Sequence, residues 1–225
     1  MKIAVISDVH GNLLALRSCL KIIAEEDCDQ IFCLGDILGY FPDGEACLDL
    51  LQDSGVELLM GNHEAMLLGL LPCLPEKDNI YQLASQRESL SNGAKCTIQK
   101  LLPYKTLEFC DGTRLLLVHG DPWNPLLGYI YPDSDLKNIA ELPFNAIFMG
   151  HTHRPFIMPL SSTVLAVNVG SCGLPRDIGN QSAFVIYEVF SGIINLRRVT
   201  FDRQEVLNCY PFVHHSVKEC LNRDV

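Results

Sequence analysis

Apolar residues along this chain gather in short unbroken runs, and most of the runs stop at a glycine or a polar residue. Lys2–Ser7 reads KIAVIS, without polar alternation, the pattern of a strand buried on both faces. It stops at Asp8-Val9-His10-Gly11-Asn12. Leu16, Leu20 and Ile23 then recur at helical spacing, predicting a helix over Leu13–Glu26. Gln30–Leu34 is a second buried strand and stops at Gly35-Asp36. A Gly/Pro-rich loop over 39–44 leads to a helix over Glu45–Gln52. A third strand, Val56–Met60, stops at Gly61-Asn62-His63-Glu64, ahead of a helix-like run, Ala65–Leu71.

From Asp78 to Leu102 the pattern is helical and polar, with one break expected at Asn92-Gly93. Lys105–Phe109 and Arg114–Val118 flank Asp111-Gly112, a hairpin signal, and the second of them stops at His119. An aromatic, proline-rich loop over 122–132 and a short helix, Ser134–Leu142, precede the strand Ala146–Met149. That strand stops at Gly150-His151-Thr152-His153. Val164–Val169 is another strand, stopping at Gly170-Ser171-Cys172-Gly173. Ala183–Phe190 and Ile193–Phe201 form a hairpin about Ser191-Gly192, and the remainder reads as helix interrupted at Pro211. The order βαβαβ, then helices, then a strand-rich half predicts an α/β fold of two stacked mixed β-sheets flanked by helices, a four-layer αββα sandwich. One domain is expected, with a core over 1–201 and a helical tail over 202–225.

Composition narrows the function. A chain of 225 residues, 48% apolar, with mean hydropathy +0.16, can bury a full core. The net charge of −10 argues against a protein that grips a nucleic-acid backbone. Bound divalent cations would reverse that field locally and admit phosphate. No run of about 18 apolar residues occurs, so no membrane span is expected. Met1 leads directly into the first strand without a signal-peptide pattern, so a cytoplasmic location is expected. The ten cysteines include no C-x-x-C and read as reduced, mostly buried thiols in apolar segments such as those around Cys19, Cys33, Cys47 and Cys110. Only Cys172, in a Gly-rich turn, is placed for catalysis.

The strand ends carry the chemistry. Asp8/His10, Asp36, Asn62/His63, His119 and His151/His153 all follow predicted strands, where open α/β sheets place their ligand sites. They hold five of the seven histidines; the other two, His214 and His215, lie in the polar tail. Asp8 and His10, like His151 and His153, are i, i+2 pairs, able to turn to one side if the segment is extended. Asp36 stands alone, as a carboxylate shared by two ions would. Two Asp, four His and one Asn suffice for two divalent ions, and the imidazole–carboxylate mix suits Mn, Fe, Co, Ni or Zn better than Ca. Taken singly, each Asp could equally be a helix N-cap and Asn62 a turn residue.

Asp8-x-His10, Gly35-Asp36, Gly61-Asn62-His63-Glu64, His119 and Gly150-His151-Thr152-His153 together resemble the calcineurin-like metallophosphoesterase superfamily, with all five blocks in order. Gly39-Tyr40-Phe41-Pro42-Asp43 and the stretch from Asn168 to Asp177 resemble its small prokaryotic phosphodiesterase branch. The resemblance implies one metal on Asp8, His10, Asp36 and His153, and another on Asp36, Asn62, His119 and His151, with manganese first among the candidates. It implies attack on phosphorus by a hydroxide held between the two ions, and His63 as the acid that protonates the leaving oxygen. Protein phosphatases of the superfamily carry an Asp and an Arg where this chain has Gly39 and Tyr40, so a phosphomonoesterase or protein phosphatase is the weaker expectation, and a non-catalytic scaffold weaker still. Without that Asp, a backbone carbonyl or water is expected to orient His63. Arg176, then Arg154, with Tyr40, are the expected substrate anchors. The expected substrate is a small phosphorylated or nucleotide molecule. Aromatics of the loop 122–131 could stack on a base, pack on themselves or meet a second copy in a homodimer.

Overall fold

The computed structural model describes residues 1–224. Five strands form the first sheet, in the order β10-β9-β1-β2-β3, from β1 (Lys2–Ile6), β2 (Gln30–Cys33), β3 (Glu57–Leu58), β9 (Gln181–Glu188) and β10 (Ile193–Thr200). The second sheet runs β4-β5-β6-β8-β7, from β4 (Tyr104–Glu108), β5 (Arg114–Val118), β6 (Ala146–Met149), β7 (Phe156–Pro159) and β8 (Leu165–Asn168). Both sheets are mixed: β1, β2 and β3 run parallel, as do β5, β6 and β8, with antiparallel strands beside them. The expected α/β sandwich is the observed one.

Burial on both faces explains the unbroken apolar runs. Successive side chains of a strand point to opposite faces. Ile3 and Val5 of β1 pack between the sheets with Phe32, Leu117, Phe148 and Val185. Ala4 and Ile6 point the other way, onto α1 (Leu13–Glu25) and α2 (Gly44–Asp53) through Leu16, Cys19, Ile23 and Leu48. The outer face of the second sheet is covered by Ile130, Leu136 and Ile139.

Several elements differ from the sequence reading. Asn62 and His63 do not follow a strand directly; they are the first two residues of α3 (Asn62–Leu67), capped by Gly61. The stretch 78–102 is three helices, α4 (Pro75–Tyr81), α5 (Leu83–Ser89) and α6 (Asn92–Ile98), and Asn92-Gly93 begins a helix where a break was expected. The breaks fall at Gln82, left-handed at φ 59°, and before Ser91, whose hydroxyl accepts from Ala94 N. Asp78 Oδ1 accepts from Leu83 N and Ala84 N, so one side chain closes α4 and starts α5. The helix expected over 134–142 is one turn, α7 (Lys137–Ala140). Strand β7 was not foreseen: Pro155 precedes it and Pro159 is its last residue, and an edge strand tolerates proline. The end of the chain forms α8 (Arg203–Cys209) and α9 (His215–Leu221), with Val225 outside the described residues. Phe201, Val206, Tyr210, Val217 and Leu221 bury themselves against Ala15, Tyr40, Phe41 and Leu174, so these helices are packed core. All ten cysteines are free; Cys110 is exposed in the β4–β5 turn, against expectation, because it stands just past the strand. Among the described residues no helix is long and apolar enough to cross a membrane.

Candidate metal centre

The carboxyl ends of β1, β2, β5, β6 and β8 converge on one side of the two sheets, and the five polar clusters meet there. Asp8, His10, Asp36, Asn62, His63, His119, His151 and His153 are all buried, none more than 6% exposed. Their backbone is unusual. Asp8, His10, Asp36, Tyr40, His151 and His153 all have positive φ, between 51° and 63°. The i, i+2 pairs therefore meet because alternate residues are left-handed, not because the chain is extended as the spacing suggested. Such conformations cost on the order of 1–3 kcal/mol each and gather at functional sites.

Hydrogen bonds lace the loops into one unit. The loop after β1 bonds the loop after β2 through Asp8 N to Gly35 O, His10 N to Asp36 O and Gly11 N to Ile37 O. Glu64 reinforces it: Oε1 accepts from Ile37 N and Leu38 N, and Oε2 from Asp36 N and Gly61 N, at 2.8–3.1 Å. From the sequence, Glu64 belongs only to the start of a helix. Its one legible signal was its place three residues after the capping position, from which a carboxylate reaches back to the cap N–H. Asn168, in β8, was also missed as a support; its amide donates to Gly150 O at 2.6 Å and fixes the loop that carries His151 and His153. Gly150 itself must be glycine, since a Cβ there would lie 2.6 Å from Asp8 Oδ2.

Each carboxylate divides its oxygens. Asp8 Oδ2 accepts from His151 N at 3.0 Å and Asp36 Oδ1 from His63 N at 2.8 Å. The other oxygens face the imidazoles. Asp8 Oδ1 lies 3.2 Å from His153 Nε2 and 3.7 Å from His10 Nε2. Asp36 Oδ2 lies 3.4 Å from His119 Nε2 and 3.8 Å from both His10 Nε2 and His63 Nε2. Asn62 Oδ1 and His151 Nδ1 are 2.9 and 3.1 Å from His119 Nε2. The seven residues thus form two adjoining cages with Asp36 between them. By distance alone His63 groups with His10 and Asp36 as well.

The first cage fits a cation on its own chemistry. His10 Nδ1 faces Leu38 O at 3.1 Å and His153 Nδ1 faces Leu174 O at 2.6 Å. Carbonyls only accept, so each Nδ1 carries a proton, which in the neutral ring leaves Nε2 as a bare lone pair. These two nitrogens face each other at 3.0 Å, beside an Asp8 Oδ1 that has no hydrogen-bond partner. Three electron-rich atoms without a hydrogen between them call for a positive ion, and orienting carbonyls behind the rings are usual for ligating histidines. In the second cage His119 Nδ1 and His151 Nε2 are buried without partners.

The titration behaviour agrees. Burial pushes His153 down to about 4 and His151 to about 3, so both are neutral ligands in waiting. For His119 burial also acts downward, but Asp36, Asp8 and Glu64 outweigh it and carry the ring up to about 9. Burial alone would raise Asp8 and Asp36, yet the surrounding histidines hold both well below the usual carboxylate range.

Of the two orienting groups expected for His63, a carbonyl or a water, the structure has the carbonyl: its Nδ1 donates to Leu38 O at 3.0 Å, the same oxygen that receives His10. Gly39, φ 93°, lies beneath the ring, and a Cβ there would collide with Nδ1. Tyr40 stacks on His63 at 5.2 Å and Tyr81 packs on it at 4.5 Å. Burial pushes His63 down to about 3. Arg176 reaches the site, donating to Tyr40 Oη at 3.1 Å, whereas Arg154 is exposed and meets Thr152 through its backbone. Of the aromatics in the loop 122–131, Tyr129 meets the cluster, its ring 4.0 Å from that of His151, while Trp123 is exposed to solvent. Cys172 is fully buried beside Cys19; that contact and burial raise its thiol far above the range of a nucleophile.

The calcineurin-like phosphoesterase superfamily domain matches residues 1–192. An uncharacterized protein of Methanocaldococcus jannaschii is 31% identical over 219 residues, covering 89% of this chain and 88% of that protein. The crystal structure of a metallophosphoesterase from Sphaerobacter thermophilus superposes with TM-score 0.79 at 24% identity, covering 98% of both chains. A hypothetical protein from Pyrococcus horikoshii superposes with TM-score 0.81 at 18% identity, covering 98% of this chain and 97% of its own.

Proposed function

This chain belongs to the calcineurin-like phosphoesterase superfamily, and from that premise we propose a hydrolase that cleaves phosphodiester or phosphoanhydride bonds in small nucleotide-type substrates. Two divalent transition-metal ions, manganese first, would be held by Asp8, His10, Asp36 and His153, and by Asp36, Asn62, His119 and His151. When bound, such ions polarise phosphoryl oxygens and lower the pKa of a water.

The chain's own part is to bind, orient and move a proton. His63 Nδ1 is committed to Leu38 O, so Nε2, 3.8 Å from Asp36 Oδ2, is the atom free to exchange a proton. The ring is neutral while buried and alone. A phosphate anion placed beside Nε2 favours the imidazolium, so substrate brings the acid into its working state. Its proton then passes to the leaving oxygen. Tyr40 accepts from Arg176, which leaves the tyrosine hydroxyl hydrogen and the remaining guanidinium donors for phosphate oxygens. Arg154 is the second candidate.

The observation that carries this reading is the pair of bare Nε2 atoms and the partnerless Asp8 oxygen facing one another in the first cage. The collision at Gly39 weighs against a protein phosphatase, because no carboxylate fits beside His63 there. The test is a panel: manganese-loaded protein against bis-(p-nitrophenyl) phosphate, dinucleoside polyphosphates, cyclic nucleotides and a phosphopeptide. Diesters or anhydrides should turn over fastest. A phosphopeptide that outruns every diester and anhydride contradicts the reading.

A further inference from the structure

A cleft of about 280 Å³ opens beside the metal centre, between α4, the turn at 174–176 and α9. Tyr40 and Tyr81 form its inner wall, and both rings lie on His63. The cleft therefore begins at the group that would protonate the leaving oxygen. Lys77, Arg176 and Arg223 line it, and no Asp or Glu does. Among the described residues none of these three cations has a carboxylate partner, whereas Arg198 and Arg203 on neighbouring elements pair with Asp177 and Asp224. Arg223 Nη1 instead donates to the backbone Arg176 O at 3.1 Å, which fixes the Arg223 guanidinium against the turn that carries Arg176. In a chain of net charge −10, three cations in one hollow with no carboxylate partner among the described residues are a local reversal of field. Two of them, Lys77 and Arg223, are exposed to solvent. Arg223 also lies beyond residues 1–192, the part matched to the family.

Resting on the phosphoesterase reading, we propose that this cleft is an anion subsite for the leaving group, so that the preferred substrate carries at least one further phosphate beyond the bond that is cut. The geometry places a nucleotide phosphoanhydride there in preference to a simple diester. The scissile phosphate lies at the cages, and the leaving oxygen departs past His63 between Tyr40 and Tyr81. The phosphate attached to that oxygen then meets Arg176, with Lys77 and Arg223 beyond it.

Two measurements on the full chain test this. Pyrophosphate is titrated calorimetrically into metal-free wild type and the Lys77→Ala/Arg223→Ala double variant. The manganese-loaded proteins are then assayed on a dinucleoside tetraphosphate and on bis-(p-nitrophenyl) phosphate. The double variant should bind pyrophosphate about tenfold more weakly or worse, given two lost charge-assisted contacts. Its kcat/KM for the tetraphosphate should fall in step, and that for the simple diester far less. Arg223→Lys should keep most of the binding. Equal pyrophosphate affinity in both proteins, or equal losses on both substrates, overturns the subsite while leaving the hydrolase intact. A wild type that binds pyrophosphate but turns over neither substrate with any divalent metal overturns the phosphoesterase reading, and the leaving-group role with it.

Discussion

Asp8 and His10 each hold a left-handed backbone that an L residue adopts at a cost, and the return is two side chains aimed at one point. The residue types were legible from the sequence because metal chemistry demands them; the conformation was not, because nothing in Asp-x-His distinguishes an extended segment from alternating left-handed residues. The same holds for His63. The absent Asp pointed to a carbonyl or a water as its partner, but only the structure identifies Leu38 O and shows the ring lying where a side chain at position 39 would go. Gly39→Asp should therefore not restore a phosphatase-type partner. With φ at 93° and no room for Cβ, it should displace His63 and cost about 2 kcal/mol or more in urea unfolding, with lower turnover. Turnover above wild type would refute that geometry. The His119 ring makes a second residue-level prediction. Raised to about 9 in the metal-free protein, it must lose a proton before it can ligate. Manganese affinity should accordingly rise with pH, by about tenfold per unit between pH 6 and 8, and level off above about 9. Calorimetry showing no dependence over that range would exclude the proton release.

At the scale of elements, the strands and α1 were readable from unbroken apolar runs and helical spacing, and the centre was readable as a set of strand ends. What escaped were features set by single tertiary bonds. Gln82 in a left-handed turn, closed by the Asp78 carboxylate, splits a helix that composition alone would continue. The four residues after Pro155, the last of them Pro159, became β7 only because β8 lay open beside them. Glu64 ties the first turn of α3 to the loop after β2 through four backbone N–H groups, and so sets Asp36 against His63. Glu64→Gln would turn an amide NH₂ toward two N–H donors. Two charge-assisted bonds would be lost, about 3 kcal/mol of stability, visible as a lower midpoint in urea. Manganese affinity should fall as well, because Asp36 moves. A variant of unchanged stability would show that these bonds do not hold the loop.

For the whole molecule, the parallel strands of both sheets end on one side, and neither sheet alone completes a cage. Asp8, His10 and Asp36 come from the first; His119, His151 and His153 come from the second. The bond from His151 N to Asp8 Oδ2 joins them. That convergence was inferred from five motifs in order, whereas the packing of α8 and α9 into the core was not, because their apolar residues are spaced across a proline break. If the cages hold metal and His63 moves the proton, metal content and bis-(p-nitrophenyl) phosphate turnover, measured together on wild type and His63→Ala, should show it. Both proteins should carry two divalent ions per chain, wild type should turn over in a metal-dependent way, and the variant should lose about 10²–10⁴-fold. No turnover by wild type with any divalent metal, or equal rates in the two proteins, would contradict it.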